Sequence, residues 1–195
     1  GPRRVQYDLF AVQLGDNDGL DHRLPGQPCV NQADVRLGYR AVSRLDVLSD
    51  PHVGSVVVVD PETGQARQFN ASEGPGAWAF ITGPDGRIYF GTWDGGLILR
   101  FDPQQPDKGI QVVGKPAASE SYLWQFDTGK DGKLYACTYP GANLVSFDPK
   151  SGAMEDLGRM HPTEMYSRSV AVGPNGKVYV GIGTTVGDLG VYDPG

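Results

Sequence analysis

The chain has 195 residues, 39% of them hydrophobic, with 17 Lys and Arg against 23 Asp and Glu and a formal net charge of −6. That length fits one domain, and that apolar share builds a core rather than a disordered tail. An acidic balance with no basic patch excludes nucleic acid and anionic membranes as expected partners, while a few local arginines leave an anionic substrate open. No apolar run reaches membrane-spanning length; the longest strand-like one is the four valines at 56–59.

In chain order, residues 5–14 read as a strand that closes a ring by pairing with the last blade, and residues 15–40 as a long loop. Strands then follow at short intervals. The 28 glycines and 15 prolines, with no Gly-X-Y period, fit many tight turns between them. Three tracts align. Ala77 to Thr82, Leu123 to Thr128 and Ser167 to Val172 each precede a Gly-x-Asp/Asn-Gly turn. Each turn is followed by a strand with tyrosine third (Tyr89, Tyr135, Tyr179) and then by an Asp-Pro pair. The turn glycines Gly83, Gly129 and Gly173 recur at steps of 46 and 44, and the Asp-Pro aspartates Asp60, Asp102, Asp148 and Asp193 at 42, 46 and 45.

A repeat of this size with several strands is the signature of propeller blades. Each unit reads as a meander of strands A to D, its Asp-Gly or Asn-Gly turn taken with both central residues at positive φ. The fold expected is all-β: a β-propeller of four-stranded antiparallel blades, about three to four of them. Residues 1–53 form an N-terminal strand and long loop, and 54–195 the blade repeats, beginning with strands C and D at about 54–69. So few blades do not close a ring, which needs four to eight, so the chain is expected to be a fragment or to be completed by a second segment or chain.

The units Gly-Pro-Asp-Gly-Arg-Ile-Tyr-Phe-Gly-Thr and Leu-Val-Ser-Phe-Asp-Pro-Lys-Ser-Gly resemble blades of the bacterial superfamily that holds the NHL, YVTN and gluconolactonase-like propellers and streptogramin lyase. The resemblance covers about 54–194 and implies the fold; propellers host binding modules, hydrolases and lyases alike. Thr-Tyr-Pro-Gly-Ala and Met-His-Pro-x-Glu-Met-Tyr-Ser-Arg are also similar to stretches of propeller polysaccharide lyases of the ulvan type, which implies His, Tyr and Arg chemistry on one face.

Strand alternation puts the short A–B and C–D turns on one face and the irregular B–C and D–A loops on the other, where sites usually lie. Trp93 and Tyr139 occupy matching B–C positions and suit stacking on sugar rings; blade packing is the plainer reading, as it is for Trp78 and Trp124 on strand A. In the D–A loop, His161 is the candidate general base, Tyr166 the proton donor to a leaving oxygen, and Arg168 the partner of a substrate carboxylate. Asp94, Glu164 and Trp124 join Trp93 and Tyr139 as expected substrate contacts, although Glu164 and Arg168 also suit a blade-linking ion pair.

The function expected is a carbohydrate-active propeller, a polysaccharide lyase working by β-elimination on a uronate-containing glycan. The alternatives are a non-catalytic binding propeller for an acidic polysaccharide, another small ligand or a protein, and a lactonase-like hydrolase, the one reading that requires a divalent cation. No other cofactor is expected. His22 and His52 are lone loop histidines, and residues 16–21 resemble only half a calcium loop. Cys137 reads as a buried free thiol, with a disulfide to Cys29 open. No signal peptide is seen, as in any mature secreted protein; location stays open, secreted or periplasmic being favoured.

Overall fold

The computed structural model describes residues 12–13, 40–45, 54–59, 64–71 and 76–195. They form four sheets. The first holds β1 (Val12–Gln13), β2 (Arg40–Leu45), β3 (Gly54–Val59) and β4 (Ala66–Asn70). The second runs β5 (Ala77–Thr82), β6 (Ile88–Thr92), β7 (Ile98–Phe101) and β8 (Ile110–Gly114), with a short 3-10 turn at Pro106–Lys108 before β8. The third runs β9 (Tyr122–Thr128), β10 (Leu134–Tyr139), β11 (Asn143–Phe147) and β12 (Met154–Arg159). The fourth has β13 (Ser167–Val172), β14 (Val178–Ile182) and β15 (Asp188–Tyr192). The last three are antiparallel meanders in the order that the repeat implies.

The sheets stack face to face because their strands are apolar on both sides. In β10, Leu134 and Ala136 pack with Ala79, Tyr89 and Ile98 of the second sheet, while Tyr135 and Cys137 pack with Val170, Val178 and Val180 of the fourth. A strand covered on alternate sides by two neighbours has no solvent face, and β10 and β11 are accordingly buried along nearly their whole length. The first sheet joins the series through Val58 and Phe69, packed against Phe90 and Phe101.

The Gly-x-Asp/Asn-Gly turns repeat one side-chain bond to the tyrosine that follows, with its direction reversed in the third. Asp85 and Asp131 accept hydrogen bonds from the Tyr89 and Tyr135 hydroxyls at 2.9 Å each, and the Asn175 amide donates to the Tyr179 hydroxyl at 2.9 Å. The tyrosine rings fold back over the leading glycine: a Cβ at Gly83, Gly129 or Gly173 would sit 2.6 Å from the ring of Tyr89, Tyr135 or Tyr179. Close approach, rather than backbone freedom, is therefore what demands glycine there. Burial and the Asp85 carboxylate push the Tyr89 phenol up to about 12, so it stays a donor.

Two expectations are corrected. Val12–Gln13 does not pair with the last sheet: it pairs in parallel with Val42 and Ser43 on the free edge of β2, and β2 itself adds Arg40–Leu45 antiparallel to β3. Arg40–Leu45 is a strand that the sequence reading does not place; residues 46–53 carry no Asp-Gly signal to mark a hairpin. Most of the expected strand at 5–14 and of the loop at 15–40 lies outside the described residues. The hairpin turns also differ in type. Gly86 N–H donates to the Gly83 carbonyl, and only the second glycine of each turn has positive φ (77°, 81° and 84° at Gly86, Gly132 and Gly176), while Asp85, Asp131 and Asn175 do not. Each aspartate or asparagine instead caps the turn by accepting a bond from the N–H two residues on.

Gly129→Ala should cost more stability than Gly132→Ala: on the order of 1–3 kcal/mol for overpacking against Tyr135, against about 1 kcal/mol for a left-handed alanine with open space around it. Urea denaturation measures both; a smaller loss at Gly129 would contradict the ring-over-glycine packing.

Candidate functional site

The innermost strands β5, β9 and β13 lie side by side at the free edge of their sheets. Asp127 of β9 accepts from Val172 N of β13 at 2.6 Å, which satisfies an edge amide that no strand pairs. Each of the three strands carries a β-bulge at the same place. Ala77 and Ala79 oppose consecutive Thr92 and Gly91, leaving Trp78 as the extra residue. Leu123 and Gln125 oppose Thr138 and Cys137, leaving Trp124. Ser167 and Ser169 oppose Ile182 and Gly181, leaving Arg168. A bulge takes its residue out of register and re-aims the side chain.

The re-aimed side chains stack on one another. Trp78 lies on Trp124 with ring centroids 4.3 Å apart, and the Arg168 guanidinium lies 4.8 Å over the Trp124 ring. The B–C and D–A loops extend the stack. Trp93 is stacked on Trp78 at 6.1 Å, and Tyr122 meets Trp78, Trp124 and Tyr139 at 5.6, 5.5 and 5.0 Å. Tyr166 stacks on Tyr139 at 4.3 Å, and Arg168 covers it at 4.8 Å. All six rings are half-buried and Arg168 is exposed, so the wall presents aromatic surface with one cation at its end. Burial, then a hydrogen bond with Tyr139, raises the Tyr166 pKa and keeps the phenol protonated. The Trp124 indole N–H is buried and has no partner.

The wall thus brings together Trp93, Trp124, Tyr139, Tyr166 and Arg168 of the expected site residues. It also takes in Tyr122, which the sequence reading left out, and Trp78, which it assigned to packing. The alignment of Trp78 with Trp124 and Arg168 was visible in the repeat, but a bulge leaves no mark in composition.

His161 belongs to a different set of contacts. Its Nδ1 accepts from Glu164 N at 2.9 Å and Thr163 N at 3.2 Å, so in the neutral ring Nε2 carries the proton, facing Asp188 at 3.8 Å. A ring whose lone pair is occupied by two amides acts as a donor, and a general-base role would require those bonds to break. Glu164 points into the protein: it is 6% exposed, and its carboxylate accepts from Thr184 N and Val186 N at 2.9 Å each. Glu120, 44 residues earlier and 1% exposed, does the same in the preceding blade, accepting from Gly141 N at 2.8 Å and Thr138 Oγ1 at 2.6 Å. Both are latches that hold a B–C loop to the D–A loop beside it, and Glu164 makes no ion pair with Arg168. Asp94 is exposed in the Trp93 loop with φ 52°. Cys137 is a buried free thiol, its pKa pushed up to about 12 by burial. Cys29, His22, His52 and residues 16–21 lie outside the described residues.

The class of protein that fold and rim define is the β-propeller, here as a partial ring. No family model matches the chain, and no curated protein matches it. Solved propellers do. Virginiamycin B lyase from Staphylococcus aureus superposes with a TM-score of 0.56 at 17% identity over 72% of this chain and 49% of the enzyme. A catalytically inactive variant of that lyase with quinupristin gives 0.56 at 16%, over 79% and 55%. The extracellular domain of a hybrid two component system from B. thetaiotaomicron gives 0.57 at 16%, over 84% of this chain and 22% of that one. The chain therefore spans about half the length of the lyase chains. At such identity the likeness shows the fold.

The backbone amides that bind Glu164 depress its pKa, chiefly through Thr184 and then Val186. A depressed carboxylate contributes stability above its unfolded pKa and loses it as pH falls through the folded value. Acidification below the ordinary glutamate range should therefore free the Thr184 and Val186 amides, seen as pH-dependent shifts in their NMR resonances. The dependence should vanish in Glu164→Gln; its persistence there would count against the latch.

Proposed function

We propose that this chain supplies the ligand-binding rim of a β-propeller and that the rim takes an acidic glycan, with sugar faces on the aromatic wall and a uronate carboxylate on Arg168. The observation that carries this reading is the continuous stack from Trp93 through Trp78, Trp124, Tyr122, Tyr139 and Tyr166 to an exposed guanidinium. Half-buried aromatic rings offer apolar faces to the C–H faces of sugars, and a guanidinium matches a carboxylate with paired N–H donors. The chain's net charge of −6 argues that recognition of an anion here is local, through Arg168, rather than by long-range attraction.

A lyase is the second reading, favoured by the protonated Tyr166 beside Arg168. In β-elimination a base removes the proton α to the carboxylate, a C=C bond forms, and the C–O bond at the β carbon breaks. Arg168 would stabilise the charge that develops on the carboxylate, and Tyr166 would hand its proton to the leaving oxygen. The wall itself holds no base: the His161 Nδ1 is occupied by the Thr163 and Glu164 amides. Binding is therefore better supported than turnover.

Calorimetric titration with oligouronates and with neutral oligosaccharides of equal length tests the first reading. Tighter binding of the acidic series is expected, with Arg168→Ala weakening it roughly tenfold or more, about 1.4 kcal/mol. Equal affinity for both series, or none lost in Arg168→Ala, would overturn it. A rise in ultraviolet absorbance during incubation with polyuronate, abolished in Tyr166→Phe, would establish the lyase; flat absorbance with intact binding would leave a binding module.

A further inference from the structure

The latch glutamates Glu120 and Glu164 hold matching places in successive D–A loops, but their own amides are tied differently. Glu120 N donates to the carbonyl oxygen of Ala117, three residues back, at 3.2 Å. Glu164 N donates instead to the imidazole Nδ1 of His161, also three residues back, at 2.9 Å, and Thr163 N joins it at 3.2 Å. A carbonyl accepts at any ordinary pH. An imidazole nitrogen accepts only while it is unprotonated, because both ring nitrogens of the charged form are donors. One of the two matching loops therefore depends on a titrating group, and it is the one that leads into Tyr166 and Arg168. Three charged groups face His161 from the elements around it. The Asp188 carboxylate of β15 lies 3.8 Å from Nε2, and the Glu164 carboxylate belongs to the same loop and interacts electrostatically with the ring. Arg159, at the end of β12, donates from Nε to the His161 carbonyl at 2.5 Å and from Nη2 to the Glu164 carbonyl at 2.6 Å. Protonation leaves Nε2 facing Asp188 but sets an N–H at Nδ1 against two amide N–H groups, so its cost falls on the loop.

We propose that His161 makes the aromatic rim pH-responsive: the neutral imidazole holds the loop that seats Tyr166, and the imidazolium releases it. Ser167 is 0% exposed, and its hydroxyl donates to the Thr138 and Asn143 carbonyls at 3.1 and 2.8 Å, so the strand beyond it stays fixed. The release therefore falls on Tyr166, which stacks on Tyr139 and lies under the Arg168 guanidinium. The Glu164 carboxylate keeps its bonds to Thr184 and Val186 meanwhile, since a glutamate titrates at lower pH than an imidazole. An effect on glycan affinity rests on the reading proposed above, whereas the movement of the loop does not.

NMR of the free protein from about pH 8 to about pH 5.5 tests the movement in a range where an imidazole titrates and a carboxylate does not. As the pH falls, the Thr163 and Glu164 amides should lose protection from hydrogen exchange and the Tyr166 ring signals should shift with them, while the Glu120 amide keeps its protection. His161→Asn offers both amides a carbonyl oxygen that does not titrate, as Asx turns do, and should abolish the response with the fold kept. His161→Ala, which offers no acceptor, should show the low-pH Tyr166 signals throughout. Tyr166 signals that stay fixed in the wild type, or a response that persists in His161→Asn, would overturn the proposal. Oligouronate affinity should fall about fivefold across the same range in the wild type, the low end of ordinary coupling between sites, and hold steady in His161→Asn. Binding that is intact but equally tight at both ends of the range also overturns it. Absence of binding at every pH overturns the glycan reading instead and leaves the ligand-free signals to decide the switch.

Discussion

The second and third sheets are buried on both faces. Antiparallel sheets commonly keep one side in water, yet β6 is buried along its whole length, and so is β11. Each sheet must therefore be covered twice, and a twisted sheet covered twice by copies of itself fans into blades. Everything else in the molecule sits on that stacking. It fixes which residue of each strand faces which neighbour, and it puts the first strands of consecutive blades next to one another.

The rim follows from one irregularity imposed on that regularity. At the end of each inner strand the bulge adds a residue, and in three successive blades that residue is Trp78, Trp124 and Arg168. In-register residues there would point into the space between blades, where aliphatic and small side chains already fill the volume. The added residue is released from that packing and stacks with its counterpart in the next blade. The loops above are tied down separately, by Glu120 and Glu164, whose buried carboxylates gather backbone amides that would otherwise be unpaired. Stacked rings and latched loops hold the rim in one arrangement, so the protein itself has little left to order there.

The sequence disclosed the blades because their turns are chemically explicit. Glycine under a tyrosine ring, an aspartate that caps its own turn and a tyrosine that bonds back to it recur at fixed offsets, and each leaves a letter in the sequence. Strand β2 of the first sheet escaped recognition for the converse reason: Arg40–Leu45 neither alternates strictly nor has such a turn beside it. The site was half legible. Tyr166, Arg168, Tyr139 and Trp93 could be placed on one rim from strand direction alone. Tyr122 and the true setting of Trp78 could not, because a bulge shifts one residue without altering the pattern around it. His161 and Glu164 show the limit most clearly. Residue type suggested acid–base and substrate contacts, whereas their hydrogen bonds make them parts of the loop scaffold.

The chain contains three tryptophans, Trp78, Trp93 and Trp124, and all three belong to the aromatic wall. The indole N–H signals in a nitrogen-15 NMR spectrum therefore report on the proposed site and on nothing else in the protein. Titration with an oligouronate should move these signals together and saturably, to the same extent at each ligand concentration. If all three stay fixed while backbone signals elsewhere respond, the ligand binds at another place and the account of the rim is wrong.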